Sequence, residues 1–152
     1  KKRILSLALS AAMALTMLPT GAFAASDKGK PPVYNKATGC YEISTPDQLL
    51  YLSGSWRDGA PRDGHYVLTA DIDMTGVNKP IASKKDQGFT GTFDGQFHAI
   101  KGLRVEYEKK YAGLFGYVGN QDDQAYIKDV ALLDCYVTGQ QNVGALAGVN
   151  YG

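Results

Sequence analysis

Three aspartates come closest to a chemical site in this sequence. Asp71 and Asp73 stand two apart in a strand-like segment, so both carboxylates are expected on one face, and Asp94 follows downstream. Acidic residues on one face of a β protein can bind calcium or act as general acid and base. However, Asp71 and Asp73 lack the further ligands and the glycine of a calcium loop, and turn chemistry explains Asp94 before Gly95. We therefore interpret the three aspartates as structural.

The two histidines, His65 and His98, are interpreted as turn or strand-surface residues. The sequence contains no HExxH, G-x-S-x-G, P-loop or CxxC motif that would give either of them a catalytic or metal-binding setting. The sequence accordingly predicts no catalytic, cofactor-binding or metal-binding residue, no cofactor, and no enzyme activity in this part of the protein.

Aromatic residues offer a second kind of chemistry, because exposed rings can stack on sugars. Trp56 lies in a loop rich in Gly, Asp and Pro, where it more often anchors its own loop than binds a ligand. The tyrosines are expected to form ladders that stabilise the fold, with carbohydrate stacking as the alternative. The tyrosines considered for such ladders are Tyr107, Tyr111, Tyr117, Tyr126 and Tyr136.

Two cysteines, Cys40 and Cys135, allow one disulfide if the protein is exported. They lie near opposite ends of the mature sequence, so only a fold that brings these segments together would join them. Two separate thiols are the alternative, and the sequence leaves the choice open.

The segment 1–24 reads as a cleavable signal peptide. Lys1, Lys2 and Arg3 are positive, the run from Ile4 to Leu18 is uncharged and apolar, and Ala22-Phe23-Ala24 provides the small residues of a cleavage site. A retained signal anchor is the alternative, but the apolar run is shorter than a membrane span. We therefore expect a secreted or cell-surface protein without a membrane span in its mature part.

Charge and length limit the partners of the mature chain. Removing the three basic residues of the signal peptide changes the formal net charge from +1 to −2, over about 128 residues. A nucleic-acid-binding domain would normally carry a basic stripe, so nucleic acid is not an expected partner. The length is sufficient for one small domain with a core.

The mature chain is expected to begin with a flexible leader over residues 25–38, which is rich in Pro and Gly. A strand is predicted at Cys40–Ile43. A helix of two to three turns follows, with Thr45 as N-cap, Pro46 at the first helical position and Gln48 completing a capping box. Three leucines give it an apolar face, and Gly54 is a plausible stop.

Downstream of Tyr66 the sequence consists of short strands separated by Gly, Asp and Asn. Residues 66–74 and 99–107 are each predicted to be one strand, and residues 89–95 form a third segment that ends in an Asp-Gly turn signal.

An internal repeat follows these strands. The glycine-rich segment 111–118 returns as 143–150, at an offset of 32, with Leu114 matching Leu146 and Gly116 matching Gly148. The preceding strands, 100–105 and 127–132, match with an offset of 27, so the second unit is expected to be five residues longer. Short strands at this period predict a solenoid, each unit forming one coil. The glycines are expected at corners or where a side chain would not fit, and an antiparallel sandwich is the structural alternative.

Four ordered motifs resemble the opening of bacterial surface proteins that carry GLUG repeats. They are residues 41–49, 66–74, 89–95 and 112–116, so the resemblance runs from about Tyr41 to the end of the chain. The first repeat corresponds to 112–118 and the second to 127–150, with Ala145 where the pattern usually has Gly. The resemblance implies a right-handed parallel β-helix on a secreted or wall-attached protein, with no catalytic residues in the repeats.

The predicted domain organisation is therefore a signal peptide (1–24), a leader (25–38), and an N-terminal cap with the first coils of a β-helix (39–152). The chain ends after a glycine block without a capping element, so we expect it to be the N-terminal piece of a longer protein. The expected function is a non-catalytic, adhesin-like scaffold that binds an extracellular glycan or a host or matrix protein. The alternative is the N-terminal part of a secreted enzyme, either a carbohydrate-active β-helix or a metallopeptidase of the immunoglobulin-cleaving type.

Overall fold

The computed structural model describes residues 29–53, 60–76 and 80–151. The predicted signal peptide, Gly54 and Trp56 lie outside the described residues. The described part is mainly β, as the sequence predicts, with one α-helix, α1 (Pro46–Tyr51), and a short 3-10 helix at Lys85–Gln87. Its strands are β1 (Val33–Asn35), β2 (Cys40–Ile43), β3 (His65–Leu68), β4 (Ile72–Asp73), β5 (Thr92–Asp94), β6 (Ala99–Lys101), β7 (Arg104–Ala112), β8 (Phe115–Val118), β9 (Tyr126–Lys128), β10 (Ala131–Leu133), β11 (Tyr136–Val143) and β12 (Ala147–Asn150).

The predicted capping box of α1 is confirmed. The Gln48 backbone N–H donates to the Thr45 hydroxyl, and the Gln48 side-chain oxygen accepts from the Thr45 backbone N–H in return. The helix is shorter than predicted: it ends at Tyr51, with Leu52 as its C-cap, so it makes less than two turns.

The expectation of a flexible leader over residues 25–38 is wrong for its later part. Val33–Asn35 forms β1, which pairs antiparallel with β2, and the Asn35 side chain donates to the Glu42 carboxylate over 2.7 Å. Prolines 31 and 32 and the surrounding polar residues resemble a linker in composition. The adjacent edge of β2 nevertheless supplies backbone partners for this segment.

Two predicted strands are each divided in the structure. Residues 66–74 form β3 and β4, and residues 99–107 belong to β6 and β7. Between β6 and β7 the chain turns at Gly102, which has φ +64°, a left-handed conformation that glycine adopts without strain. Alternation of apolar residues continues across such a corner, so the sequence pattern does not reveal the break.

Parallel pairing dominates the sheets. One sheet has the order β1-β2-β3-β5-β9, a second β10-β6-β4, and two further pairs are β11-β7 and β12-β8. Every described strand pair is parallel except β1 with β2. The alternative of an antiparallel sandwich is therefore wrong for the described residues.

The last eight strands form two units that pair strand for strand. We call residues 92–118, which contain β5 to β8, the covered unit, and residues 126–150, which contain β9 to β12, the outer unit. Each strand of the outer unit pairs in parallel with the corresponding strand of the covered unit.

The spacing between these units corrects the predicted strand alignment. Ile100 pairs with Leu132, at the same offset as the glycine-rich segments, whereas Ile127 pairs with Phe93. Strand β8 keeps this offset, and β7 keeps it from Arg104 to Tyr107, after which a register irregularity between Gly139 and Gln141 shifts the pairing by one residue. The predicted offset of 27 was wrong because it matched similar letters instead of residues that occupy the same inward position. The second unit therefore carries no five-residue extension over these three strand pairs.

The core consists of columns of apolar side chains that follow the strand pairing. Ile72, Ile100 and Leu132 form one such register column, and the first two are fully buried. Tyr66 and Phe93 are paired in a second column, and both are also fully buried. The packing of each unit on the next removes these side chains from water, which is the main source of stability in a fold of short strands.

Two matching glycines allow the backbones of neighbouring units to approach closely. A Cβ added at Gly116 would lie 2.7 Å from the Ser83 Cα and 2.7 Å from the Tyr111 carbonyl oxygen. One added at Gly148 would lie 2.9 Å from the Gly116 carbonyl oxygen. The expectation that these glycines stand where a side chain would not fit is confirmed.

No helix in the described residues has the length and apolar character needed to cross a membrane.

Candidate functional site

The predicted acidic residues form contacts within the fold. The Asp71 carboxylate accepts from the Lys101 ammonium group over 2.8 Å and from the Ala99 backbone N–H over 3.0 Å. The hydrogen bond from Lys101, followed by that from Ala99, lowers the pKa of Asp71 to about 2. This carboxylate joins the start of β4 to β6.

The other two aspartates have different partners. The Asp94 carboxylate lies 2.6 Å from the Lys128 ammonium group, across β5 and β9, and this contact lowers its pKa. Asp73 accepts from the Thr75 backbone N–H over 2.9 Å in a local turn, and hydrogen bonding from Thr75 lowers its pKa as well. The three carboxylates thus serve separate contacts, and no group of metal-binding residues occurs among the described positions.

The two histidines do not share a site. His98 Nδ1 lies 3.4 Å from the Asp71 carboxylate, beside the Lys101 ion pair. His65 is exposed at the first position of β3. Their placement matches the interpretation of both as residues of the strand and turn surface.

Aromatic ladders are present, although mostly from tyrosines that the sequence did not single out. Tyr34, Tyr41 and Tyr66 follow one another with ring centroids 4.9 and 5.2 Å apart, and Phe89 continues the series at 6.0 Å. The ladder arises because strand pairing places Tyr41 beside Tyr66. Tyr66 and Phe89 are buried in the core, whereas Tyr34 at the other end of the ladder is half-exposed, so the ladder stabilises the fold and leaves ring surface free only at that end.

The predicted ladder of later tyrosines is realised in part. Tyr111 meets Tyr117 edge to face at 5.2 Å, and Tyr117 stacks on Tyr151 at 5.5 Å. Tyr136 instead lies beneath the Arg104 guanidinium, whose carbon is 4.9 Å from the ring centroid. Tyr126 is largely exposed, and Tyr107 is half-buried against the core.

Cys40 and Cys135 carry free thiols in the structure, so the disulfide is not formed. Cys135 is half-buried and packs against the core, and burial raises the pKa of its thiol. Cys40 begins β2, near the other end of the strand series.

A polar cleft of about 610 Å³ opens on the surface of the described residues and is a candidate ligand site. It lies beside the turns that precede β3, β5 and β9, so three stacked strands hold its walls. The Thr90 N–H donates to the Arg62 carbonyl oxygen over 2.9 Å, which fixes one of these turns on the next. Its lining residues are Arg62, Asp63, Thr90, Asn120, Gln121, Asp122, Asp123, Gln124 and Tyr151.

The loop between β8 and β9 forms one wall of the cleft and is ordered by Asn120. The Asn120 side-chain oxygen accepts from the backbone N–H groups of Asp122 and Asp123, over 2.8 and 2.7 Å. Its side-chain nitrogen donates to the Asp123 carboxylate over 3.1 Å. The loop is therefore held in one shape while Gln121 and Asp122 extend into solvent.

Tyr151 supplies an aromatic surface at the edge of the cleft. Its backbone N–H donates to the Val118 carbonyl oxygen over 2.8 Å, and its ring stacks on Tyr117 with an interplanar angle of 24°. Desolvation, followed by the hydrogen bond with Tyr151, raises the pKa of Tyr117 to about 12. The Tyr151 ring is half-exposed, so one face is held in place and other parts are free for a ligand.

The cleft combines this ring with amides, three carboxylates and one guanidinium group. An apolar ligand would find little matching surface there, whereas a ligand with many hydroxyl groups would find both donors and acceptors. Sequence reasoning did not identify these residues, because they come from four separate turns. The run of Asn, Gln and Asp at 120–124, just after the glycine-rich segment 111–118, was the available signal.

Comparison with known proteins gives one informative similarity. No model of a known protein family matches the chain, and no solved structure matches it significantly. The chain is similar to halomucin from Haloquadratum walsbyi (strain DSM 16790 / HBSQ001), with 32% identity over 124 residues. The similarity covers 74% of this chain but 1% of halomucin, so the chain spans only a small part of this curated relative.

Proposed function

We propose that this chain is a non-catalytic, exported surface module that acts as an adhesin-like scaffold. The observation that carries the proposal is the parallel, strand-for-strand stacking of the covered and outer units, which aligns their turns along one side. The signal-peptide pattern of residues 1–24 supports export, and the similarity to halomucin is compatible with a surface location.

The proposed architecture is a right-handed parallel β-helix of the GLUG-repeat type. Three parallel strand pairs support it, since they share one offset apart from a one-residue shift within β11, as do Gly116 and Gly148 at equivalent close approaches. The proposed handedness follows from the general right-handed preference of connections between parallel strands. Such a scaffold presents its turns at fixed intervals, which suits an extended extracellular ligand.

The proposed ligand is a glycan that occupies the polar cleft, with a host or matrix protein as the second class of partner. The half-exposed Tyr151 ring would stack on a sugar face, and the Arg62 guanidinium and the Gln121 amide would bind hydroxyl groups. The cleft walls are held by backbone hydrogen bonds between turns, so little ordering is required when the ligand binds.

A glycan array with the mature chain tests this proposal. We expect binding to at least one glycan, and a strong loss of that binding in Tyr151→Ala and Arg62→Ala. Tyr136→Ala is the matched control, since its ring is as exposed as that of Tyr151 but lies outside the cleft. If Tyr136→Ala lost as much glycan binding as Tyr151→Ala, the binding would not be specific to the cleft. If the unmodified chain bound no glycan, the proposal of a glycan ligand would be rejected.

The alternative of a secreted enzyme is tested with the same preparation. Purified mature chain is incubated with polysaccharides and with peptides, and release of products is measured. We expect no turnover. Turnover that persists through purification would overturn the scaffold proposal, whereas glycan binding without turnover would support it.

Export is tested separately, by expressing the chain with segment 1–24 in place in a secreting host. We expect a secreted product whose N-terminal sequence begins at Ala25. A product that stays in the membrane with Lys1–Ala24 attached would instead support the signal anchor.

A further inference from the structure

The turn between β5 and β6 holds a phenylalanine in an unusual position. Phe97 is 87% exposed, more than any other large apolar side chain among the described residues. Gln96 and Phe97 form the centre of this turn, and both have positive φ, at 46° and 63°. The His98 N–H donates to the Gly95 carbonyl oxygen over 2.8 Å and closes the turn. Such a turn favours Asn followed by Gly, because most side chains are strained in this conformation.

This turn is also longer than the turns that stack on either side of it. Four residues (95–98) connect β5 to β6, whereas two (129–130) connect their partners β9 and β10. On the other side, three residues (69–71) connect β3 to β4, which also pair with β5 and β6. The extra length lets Phe97 project beyond both neighbouring turns. Its exposure therefore arises from the turn itself, between two units that the structure describes.

Hydrogen bonds hold the turn in this shape. The Phe97 N–H donates to the Asp129 carbonyl oxygen in the outer unit over 2.7 Å. The Gln96 N–H donates to the Asp94 carboxylate over 2.8 Å. The ring is thus carried on a fixed backbone, so little backbone entropy would be lost when a ligand binds.

Polar side chains flank the ring on both sides. His98 and Lys101 contact the Asp71 carboxylate over 3.4 and 2.8 Å, and all three side chains are between a third and a half exposed. On the outer side, Lys128 pairs with Asp94. The described residues of the two neighbouring turns add no strongly exposed large apolar side chain. A single ring among hydrogen-bonding groups suits a sugar, whereas a protein partner would need a larger apolar area at the centre of its interface.

We propose that Phe97 is the stacking anchor of a second glycan-binding site, at the turn between β5 and β6. A sugar face stacks on the exposed ring, and the neighbouring side chains bind its hydroxyl groups. His98 faces Asp71 through Nδ1, which leaves Nε2 for a hydroxyl, and the Lys101 ammonium group has further N–H donors. Backbone strain at an exposed aromatic residue is what a ligand-binding turn can carry at a cost in stability.

This site is separate from the polar cleft. The cleft borders the turn that precedes β5, whereas Phe97 lies in the turn that follows β5, and no residue of the second site lines the cleft. A chain with both sites would hold one extended glycan, or two glycans, at the two ends of the same strands.

Replacement of the turn by its favoured sequence separates binding from folding. The double variant Gln96→Asn/Phe97→Gly should unfold at a higher temperature than the unmodified chain, because Asn-Gly relieves the strain. The same variant should lose glycan affinity at this site by about tenfold or more, through loss of the ring. Phe97→Tyr keeps a ring and should retain the affinity. If the double variant were less stable than the unmodified chain, Phe97 would be a structural residue and the proposal would be overturned.

The binding measurement is made in a chain whose cleft has lost its anchors, Arg62→Ala/Tyr151→Ala. A glycan array identifies the ligands of this variant, and isothermal titration calorimetry with those oligosaccharides gives their affinities. We expect glycan binding that is lost when Phe97→Gly is added. Tyr136→Ala is the matched control, because its exposed ring lies outside both sites, and it should leave the affinity unchanged.

The outcomes for the two sites are distinguishable. Glycan binding that is lost in Arg62→Ala/Tyr151→Ala but unaffected by Phe97→Gly would support the cleft and overturn the second site. Glycan binding that survives the cleft variant and requires Phe97 would support the second site without the cleft. Phe97-dependent binding of fibronectin stripped of its glycans, with no binding on the array, would assign the ring to a protein partner and overturn the proposal.

Discussion

The covered and outer units have the same strand order but differ in burial. Phe93, Ile100 and Val105 in the covered unit are fully buried, whereas their partners Ile127, Leu132 and Val137 are half-exposed. Phe93 and Ile100 lie in strands that are paired on both sides, whereas Ile127 and Leu132 lie in strands that are paired on one side only among the described residues. The apolar pattern of a strand therefore defines a potential core position, and burial depends on the neighbouring unit.

Substitution of one leucine in each unit gives the largest expected effect in this comparison. Leu114→Ala should lower the free energy of unfolding by about 3 kcal/mol, because the side chain is 2% exposed and leaves a cavity. Leu146→Ala, at the equivalent position, should lower it by about 1 kcal/mol, because Leu146 is 36% exposed.

Urea unfolding at low protein concentration measures both values. The pair is matched in residue type and repeat position, so the difference reports coverage by a neighbouring unit. Equal losses of unfolding free energy would show that Leu146 is covered in solution even at low protein concentration, and that the two units do not differ in burial.

The close approach at the glycines provides the next largest effect. Gly116→Ala should destabilise the fold by about 1–3 kcal/mol, because the new methyl group would meet the Ser83 Cα and the Tyr111 carbonyl oxygen. Gly148→Ala should destabilise it less, since the exposed segment around Asn142 can shift toward solvent. Thermal unfolding of both variants tests the order, and a larger effect at Gly148 would contradict it.

Local features of the fold could be predicted from the sequence, whereas features that depend on alignment between units could not. Thr45 and Gln48 are three residues apart, and their hydrogen bonds form within that span, so the capping box was readable. The match of Ile100 with Ile127 was wrong because chemical similarity does not identify register, and Leu132 fills the same column equally well. Segment β1 was missed because its partner β2, and not its own composition, orders it.

The candidate cleft could not be predicted for the same reason. Arg62, Thr90 and Tyr151 are separated by long stretches of sequence, and only the stacking of their turns brings them together. The interpretation of the aspartates as structural rested on turn chemistry at Asp94 and on the incomplete calcium-loop pattern at Asp71, and it stays a prediction. Their ion-pair partners, Lys101 and Lys128, depend on strand pairing and were not apparent.

The start of helix α1, with its Thr45 N-cap, provides a third region for comparison. Thr45→Ala should lower the free energy of unfolding by about 1 kcal/mol, because the Gln48 backbone N–H loses its side-chain acceptor at the start of α1. Thr138→Ala, at an exposed position in β11, is the matched control and should have a smaller effect. An equal effect of the two substitutions, measured by urea unfolding, would show that the cap contributes nothing beyond the loss of a threonine.

The ion pair between Asp94 and Lys128 joins the covered unit to the outer unit and should give the smallest effect. The folded-state pKa of Asp94 is lowered, so the contribution of the pair to stability is present above the unfolded pKa and decreases as pH falls through the folded value. NMR titration should therefore show Asp94 ionising below 3.8, its ordinary value. Lys128→Met should raise the pKa of Asp94 and leave that of Asp71, which pairs with Lys101, at about 2. If Asp94 titrates at its ordinary value in the unmodified chain, the outer unit is not held by this pair in solution, and its contact with the covered unit rests on strand pairing and apolar packing alone.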